Sequence, residues 1–404
     1  MEDEIRDLII VGGGAAGIFS ALIAKENFPH ISVLVLEKNN VLLSKVRISG
    51  GGRCNVTHAC FDPYTLAQNY PRGHRELIGP FHQFQPRNTI EWFEARDVIL
   101  KEEADGRMFP ITDSSLTIIE CLLREARKLG VEIRLQQKIE RIEKCEEGFV
   151  LNFKDGQAKK TSKLLLATGN SKEGYQWAEH LGHTIQEPVP SLFTFNIPDF
   201  ELKDLSGVSV SSAHVDLVGS PFEQRGPLLI THFGFSGPAI LKLSAWGARF
   251  LFEAHYRASV KINWLPSHTE ESIFHKMRSC KQEMPLKTLA NLTLFPLPKN
   301  LWKALLGECG KEKLGALSDK LLRKLAHRLH GDLYEMEGKT THKEEFVTCG
   351  GISLKEIDFK TMQSKKCSGL FFAGEILDID GITGGFNFQN AWTTGYLAGK
   401  YLCC

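Results

Sequence analysis

The sequence predicts an α/β fold in which the two ends of the chain build one domain and a stretch of different texture is inserted between them. Three observations carry this. First, an apolar run, Leu8-Ile9-Ile10-Val11, passes straight into Gly12-Gly13-Gly14-Ala15-Ala16-Gly17 and a helix-like stretch from Ile18 to Lys25. Second, a β-branched run from Ser32 to Leu36 follows and stops at Glu37, completing a strand–helix–strand unit. Third, after about residue 345 the α/β texture returns, with Leu370-Phe371-Phe372-Ala373, a glycine-rich loop and a terminal helix from Phe388 to Leu402. The expected boundaries are 1–192 and 343–404 for the two parts of the nucleotide-binding domain, 193–266 for a β-rich insertion and 267–342 for a helical one.

Between these landmarks the elements follow from periodicity. Residues 85–130 read as helical: Asn88 to Arg96 is short, and Ser114 to Leu129 places Leu116, Ile119, Leu122, Leu123 and Ala126 on one face before Gly130 stops it. Strands are expected at Glu132 to Leu135, Gly148 to Leu151 and Lys163 to Ala167, the last running into Thr168-Gly169. Residues 207–264 alternate as strands do, whereas 267–330 turn helical. In that region Leu321, Leu322, Leu325 and Leu329 form one face and Lys320, Arg323, Lys324 and Arg328 the other. Such a basic face is ordinarily solvated, and that reading is preferred over RNA binding.

Composition narrows the class. The 404 residues carry 49 Lys+Arg against 48 Asp+Glu, so no global field draws the chain to nucleic acid or an anionic membrane. The start, Met1-Glu2-Asp3-Glu4, is acidic where a targeting segment would be basic, and no apolar run reaches the roughly 18 residues of a membrane span. A cytoplasmic location with no membrane partner is the expectation. The 10 cysteines include no Cys-x-x-Cys pair and read as reduced thiols, with no metal site expected.

The chemistry is carried by glycine-rich turns. Gly12, Gly14 and Gly17 sit between a strand and a helix, and Glu37 follows about 20 residues on, where a carboxylate accepts hydrogen bonds from a ribose diol. The helix N-terminus offers unpaired N–H groups to a pyrophosphate. A second loop, Lys45 to Asn55 with Ser49-Gly50-Gly51-Gly52-Arg53-Cys54, can wrap amides and cations around a long phosphate-bearing ligand. At the chain end, Gly369 to Glu375 resembles the late strand of two-part flavin folds, a likeness that implies that the helix after Gly381 to Asn387 turns its N-terminus toward a flavin ring.

These motifs, with Asp105 to Pro110, Pro190-Ser191-Leu192, Thr231 to Pro238 and Val347 to Ile352, resemble the BaiN-like NAD(P)/FAD-dependent oxidoreductases, a group also named after an aminoacetone oxidase. Where many relatives read Gly-Arg-Lys before the glycine loop, this chain has Leu43-Ser44-Lys45. The resemblance implies a Rossmann-like FAD-binding domain in two segments with an inserted β-rich plus helical region. It implies FAD held by Gly12, Gly14, Ala15, Ala16, Gly17, Glu37, Lys38, Lys45, Ser49, Gly50, Gly51, Arg53, Cys54 and Asn55. From the later segments it adds Thr168, Gly169, Gly374, Glu375, Gly384, Gly385, Phe386 and Asn387.

The expected function is an FAD-dependent oxidoreductase, a reductase or dehydrogenase of a small or medium organic substrate bound between the FAD domain and the insertion. No second Gly-x-Gly-x-x-Gly is present, so NADH or NADPH would dock transiently as reductant. A flavin carries the hydride chemistry itself, leaving the protein to orient and to supply a proton. His232, in a strand-to-turn loop, is a candidate proton donor. Cys54 and, less so, Cys349 are candidate redox thiols, although buried cysteine is usually packing. Asp378 and Asp380 read as loop-ordering residues. The alternatives are an FAD-dependent tRNA-modifying enzyme and a flavin-binding redox sensor without turnover, with nucleic acid the less favoured partner.

Overall fold

The computed structural model describes residues 5–340 and 347–402. The chain divides into two compact units, one made of Met1–Val189 with Lys343–Cys404, the other of Pro190–His342.

In the first unit, β1 (Arg6–Val11) leads into α1 (Ala15–Asn27) and β2 (Val33–Leu36). The helix α2 (Ser44–Gly52) and α3 (Ser115–Lys128) precede β3 (Glu132–Arg134), and β4 (Ala158–Leu166) is followed by α4 (Lys172–His180). The returning segment supplies β5 (Leu370–Phe372) and α5 (Phe386–Tyr401). These strands lie parallel in the order β5-β4-β1-β2-β3. Leu8 to Leu36 is buried wherever it is strand, as expected for a parallel sheet covered on both faces.

The two chain ends are joined by α1 against α5. A Cβ on Gly399 would lie 2.6 Å from the Ser20 carbonyl oxygen, and one on Gly395 2.9 Å from that of Ala16. Only bare backbone permits this approach.

Two sequence expectations are corrected here. The region 85–130 is not uniformly helical: Leu100–Glu102 and Arg107–Pro110 are strands that pair with each other, and Thr57–His58 completes that small sheet. The terminal helix begins at Phe386, earlier than predicted, with Gly385 in the left-handed region as its N-cap.

The second unit is a seven-stranded antiparallel-rich sheet with helices against it. The 267–342 segment is not wholly helical, because Asp332–Glu337 returns to pair with Arg257–Asn263. Conversely, Pro238–Trp246 is a helix within the stretch expected to be β-rich, with Pro238 in its first turn. One apolar core runs through both parts, joining Phe235 and Trp264 to Leu301, Leu322 and Leu329.

Candidate cofactor site

Strand register builds the site. Val11 pairs with Leu36 on one side and Leu166 on the other, and Leu166 pairs with Phe372. The residues that follow, Gly12, Glu37, Ala167-Thr168 and Ala373-Gly374, therefore emerge side by side at the carboxyl edge of the sheet. That edge is where open α/β sheets bind ligands.

The fingerprint glycines divide by what demands them. Gly12 has φ +116°, and a Cβ there would lie 2.3 Å from the Ala167 carbonyl oxygen. On Gly17 a Cβ would lie 2.0 Å from the Gly12 carbonyl oxygen. Gly14 differs: its φ is −85° and a Cβ would meet nothing within 4 Å. Nothing in the protein requires glycine there, yet it leaves the N-terminus of α1 open. That helix has no side-chain cap and no acidic residue in its first turn, so its first N–H groups are available to an anion.

Glu37 is held in place rather than loose. Its Oε2 accepts from the Gly13 N–H at 2.8 Å and its Oε1 from the Asn39 N–H at 2.9 Å. Across the edge, Lys45 is ion-paired with Glu375, and Glu375 accepts from the Thr348 N–H at 3.3 Å. A Cβ on Gly169, at φ +59°, would lie 3.5 Å from Glu375 Oε2. Two buried side-chain oxygens at this edge, Thr168 Oγ1 and Tyr175 OH, have no hydrogen-bond partner among the described residues. Burial, with Glu375 and Asp378 nearby, pushes the Tyr175 phenol up. Buried unpaired oxygens are costly unless a ligand satisfies them. With the open α1 terminus, they fit the FAD that the sequence implies.

Other expected ligands are engaged within the protein. Arg53 pairs with Glu103 at 2.6 Å and stacks over Phe109 at 4.0 Å; Lys38 pairs with Glu173 at 3.2 Å. Ser49 Oγ donates to the Val46 carbonyl at 3.0 Å, in the kink where Gly50 and Gly51 are left-handed. With the Asn55 amide assigned by its surroundings, so that its nitrogen faces an acceptor and its oxygen a donor, the carboxamide donates to the Thr57 carbonyl at 3.0 Å and accepts from the Gly385 N–H at 2.9 Å. It thus clamps the glycine loop to the start of α5. Asn387 closes the 381–387 loop through two 2.9 Å bonds to Gly381, and Phe386 is buried against the His58 ring. Gly384 and Gly385 are both at positive φ, and Ala15 and Ala16 open α1.

Burial bears directly on the candidate redox thiols. Cys54 is fully buried, and burial pushes its thiol up to about 12, so it stays protonated at neutral pH and packs. Cys349 is likewise fully buried, in the strand Val347–Ile352. His232 belongs to the second unit, exposed at the tight turn between Glu223–Ile230 and Gly234–Ser236. Asp380 is fully buried and paired with Arg72, its Oδ1 accepting from Arg72 Nε at 2.5 Å. Among the described residues, His214, Asp216 and Glu223 alone group as metal-type ligands, and Lys261 already holds Asp216 at 3.0 Å.

Sequence reasoning missed Tyr175, Asn170 and Thr348. Asn170 Nδ2 donates to Thr348 Oγ1 at 2.9 Å, tying the β4 edge to the returning chain. The unusual count of polar residues just after an apolar strand was the available signal.

The family model described as "HI0933-like protein Rossmann domain" matches residues 6–401. A protein of Escherichia coli K12 named ribosomal RNA dihydrouridine synthase is 31% identical, the match covering 99% of this chain and 98% of that one. The 3-dehydro-bile acid delta(4,6)-reductase of Clostridium scindens is 28% identical over 97% of each chain. Among solved structures, the 3-ketosteroid-delta4-(5alpha)-dehydrogenase of Rhodococcus jostii RHA1 superposes with a TM-score of 0.53 at 12% identity, covering 100% of this chain and 98% of the other, a likeness of fold. No helix among the described residues is long and apolar enough to cross a membrane. With its motifs, strand order and near-complete match in agreement, the chain belongs to the HI0933-like family of Rossmann-type proteins, the group its sequence resembled.

Proposed function

We propose that the protein is an FAD-dependent reductase that adds a hydride and a proton across a carbon–carbon double bond conjugated to a carbonyl, with a uracil ring in RNA as substrate. The observation that carries the flavin part is the open, uncapped α1 terminus aligned with Glu37, Thr168 and Glu375 at one sheet edge. When bound, FAD supplies the hydride chemistry, and NADH or NADPH is the reductant. The chain's residues bind and orient: the α1 N–H groups receive the pyrophosphate, and the pre-positioned Glu37 carboxylate accepts from the ribose. Thr168, Tyr175 and the Lys45–Glu375 pair offer the polar contacts for the chain between pyrophosphate and ring.

The choice of bond is supported by what the relatives' names share. Dihydrouridine is uracil saturated at its carbonyl-conjugated double bond, and a 3-dehydro-bile acid Δ4,6-reductase saturates bonds conjugated to a ketone. Two relatives that each match nearly the whole chain at 31% identity carry the RNA name, so uracil comes first. The bile-acid relative makes a steroid dienone the second reading.

The test is anaerobic. Purified protein is reduced with NADPH or NADH and mixed with unmodified ribosomal RNA or a dienone steroid while flavin absorbance is followed. Flavin reoxidation by RNA with formation of dihydrouridine is expected. A colourless protein that releases no flavin on denaturation overturns the whole reading, and reoxidation by the steroid alone overturns the RNA substrate.

A further inference from the structure

The near-zero net charge conceals an uneven distribution. Between residues 267 and 330 there are 12 Lys/Arg and 6 Asp/Glu. Part of this excess is neutralised: Arg323 pairs with Glu271, Arg278 and Lys281 with Asp319, Lys311 with Glu308, and Arg328 with Glu201 and Asp332. Seven other lysines are exposed and make no ion pair among the described residues; Lys276 lies over the Phe295 ring, 4.9 Å from its centroid, which leaves Lys287, Lys299, Lys303, Lys313, Lys320 and Lys324.

These six fall into three pairs. Lys299 and Lys303 are four residues apart on the helix Lys299–Leu306, away from its buried Leu301, Trp302 and Leu305. Lys320 and Lys324 have the same spacing on Asp319–His330, away from Leu322, Leu325 and Leu329. Lys287 and Lys313 lie on adjacent segments, joined where the Leu314 N–H donates to the Lys287 carbonyl at 2.8 Å. All belong to one packed lobe, because the Trp302 indole donates to the Leu289 carbonyl at 2.9 Å and both helices share the core. Like charges at this spacing repel and weaken a helix. A protein that keeps two such pairs, none of the four lysines in an ion pair among the described residues, gains nothing in stability from them.

We propose that this helical lobe of the second unit is the surface that docks the phosphate backbone of RNA. The proposal rests on the reading above that the substrate is a uracil within RNA, and it assigns the docking to residues outside the cofactor site. Lysine acts on phosphate as a mobile point charge, without reading base edges, so binding here is sequence-independent and positions the strand. An anionic bilayer fits less well, because the lysine pairs are not backed by an exposed apolar helix face.

The experiment measures binding, not turnover. Fluorescence anisotropy of a labelled 24-nucleotide oligouridine is followed against salt for the flavin-loaded protein and for the quadruple variant Lys299→Gln, Lys303→Gln, Lys320→Gln, Lys324→Gln. Each lost phosphate contact on a single strand lowers the slope of log affinity against log salt by about 0.7, so the four together remove about 3 and weaken binding at least 10-fold at low salt. Flavin content stays unchanged and Tm does not fall, and arginine at the same four positions retains binding. An unaltered affinity and salt slope in the variant overturns the proposal, as does lysine-dependent binding to phosphatidylserine vesicles with none to oligouridine. Dihydrouridine formation, scored separately on wild type, reports on the substrate reading alone.

Discussion

Substituting alanine at Gly14 and at Gly17 should separate a glycine kept for a ligand from one kept for the fold. At Gly14 the backbone is in the extended region and a Cβ meets nothing within 4 Å. Alanine is a poorer N-cap than glycine by about 0.5–1 kcal/mol, while reduced freedom of the unfolded chain returns about 0.4–1 kcal/mol. The two nearly cancel, so flavin-free Gly14→Ala should match wild type within about 0.5 kcal/mol. At Gly17 the new Cβ would be 2.0 Å from the Gly12 carbonyl oxygen. That turn cannot readily retreat, because the Gly12 N–H is bonded to the Leu36 carbonyl at 2.8 Å. Overpacking of this kind costs about 1–3 kcal/mol and sometimes more, against a propensity gain of about 1. Gly17→Ala should therefore lose about 2 kcal/mol, or roughly 4–8 °C in Tm for a unit of this size. Flavin affinity inverts the order of interest: a methyl group over the first turn of α1 displaces a charge-assisted hydrogen bond worth about 1.5–3 kcal/mol, so Gly14→Ala should bind FAD at least 10-fold more weakly. Thermal melts of the flavin-stripped proteins and flavin titrations decide it. If Gly14→Ala lowers the apo Tm as much as Gly17→Ala, or binds FAD normally, the division of roles is wrong.

Three further outcomes are expected. Burial lowers the pKa of His183, opposed by Glu356, while hydrogen bonds from Lys366 and Thr184 outweigh burial and hold Glu356 down to about 2. The unfolded chain takes up the histidine proton first, so this stability is present above pH about 6.5 and is lost as pH falls from there toward the folded value, by at most about 1.4 kcal/mol per unit; urea midpoints between pH 8 and 5 should fall less in His183→Gln. Arg72→Met strands the fully buried Asp380 and should cost about 3–5 kcal/mol, whereas Arg72→Met with Asp380→Leu recovers much of it, as melting of the single and double variants would reveal. Native Cys54 should resist iodoacetamide at pH 8 by peptide mass mapping, and Cys54→Ala should reduce its flavin within about twofold of wild type, since a thiol titrating near 12 supplies almost no thiolate.

What the sequence disclosed follows from range. The β1–α1–β2 unit was readable because its signals are local: a buried run, a glycine turn and a terminal Glu37. The short strands Leu100–Glu102 and Arg107–Pro110 were read as helix because three or four residues carry no period, and their pairing with Thr57–His58 is non-local. The same limit hid Asp332–Glu337, whose strand character depends on Arg257–Asn263. The Arg72–Asp380 pair spans 308 residues, and neither partner's surroundings announce the other. Net charge is a whole-chain sum, so the value of +1 averages over the lysine-rich stretch 267–330 and says nothing of local charge.

The site shows a sharper division. Several side chains expected as ligands also serve the scaffold: Asn55 fastens Gly385, Asn387 closes its own loop, Arg53 answers Glu103 and Cys54 packs. Those left without a partner among the described residues are the Thr168 and Tyr175 oxygens, beside the uncapped N-terminus of α1. A site whose contacts are largely backbone is written in a sequence as glycine, because glycine is what lets backbone approach. Side-chain contacts leave no such mark. Glycine turns therefore mark where backbone is left open to a ligand, while the contacts of the polar residues around it had to come from partners and burial. The clamp at Asn55 carries the consequence: the glycine loop from one end of the chain and the α5 turn from the other are fixed by one carboxamide, so Asn55→Ala should loosen both together.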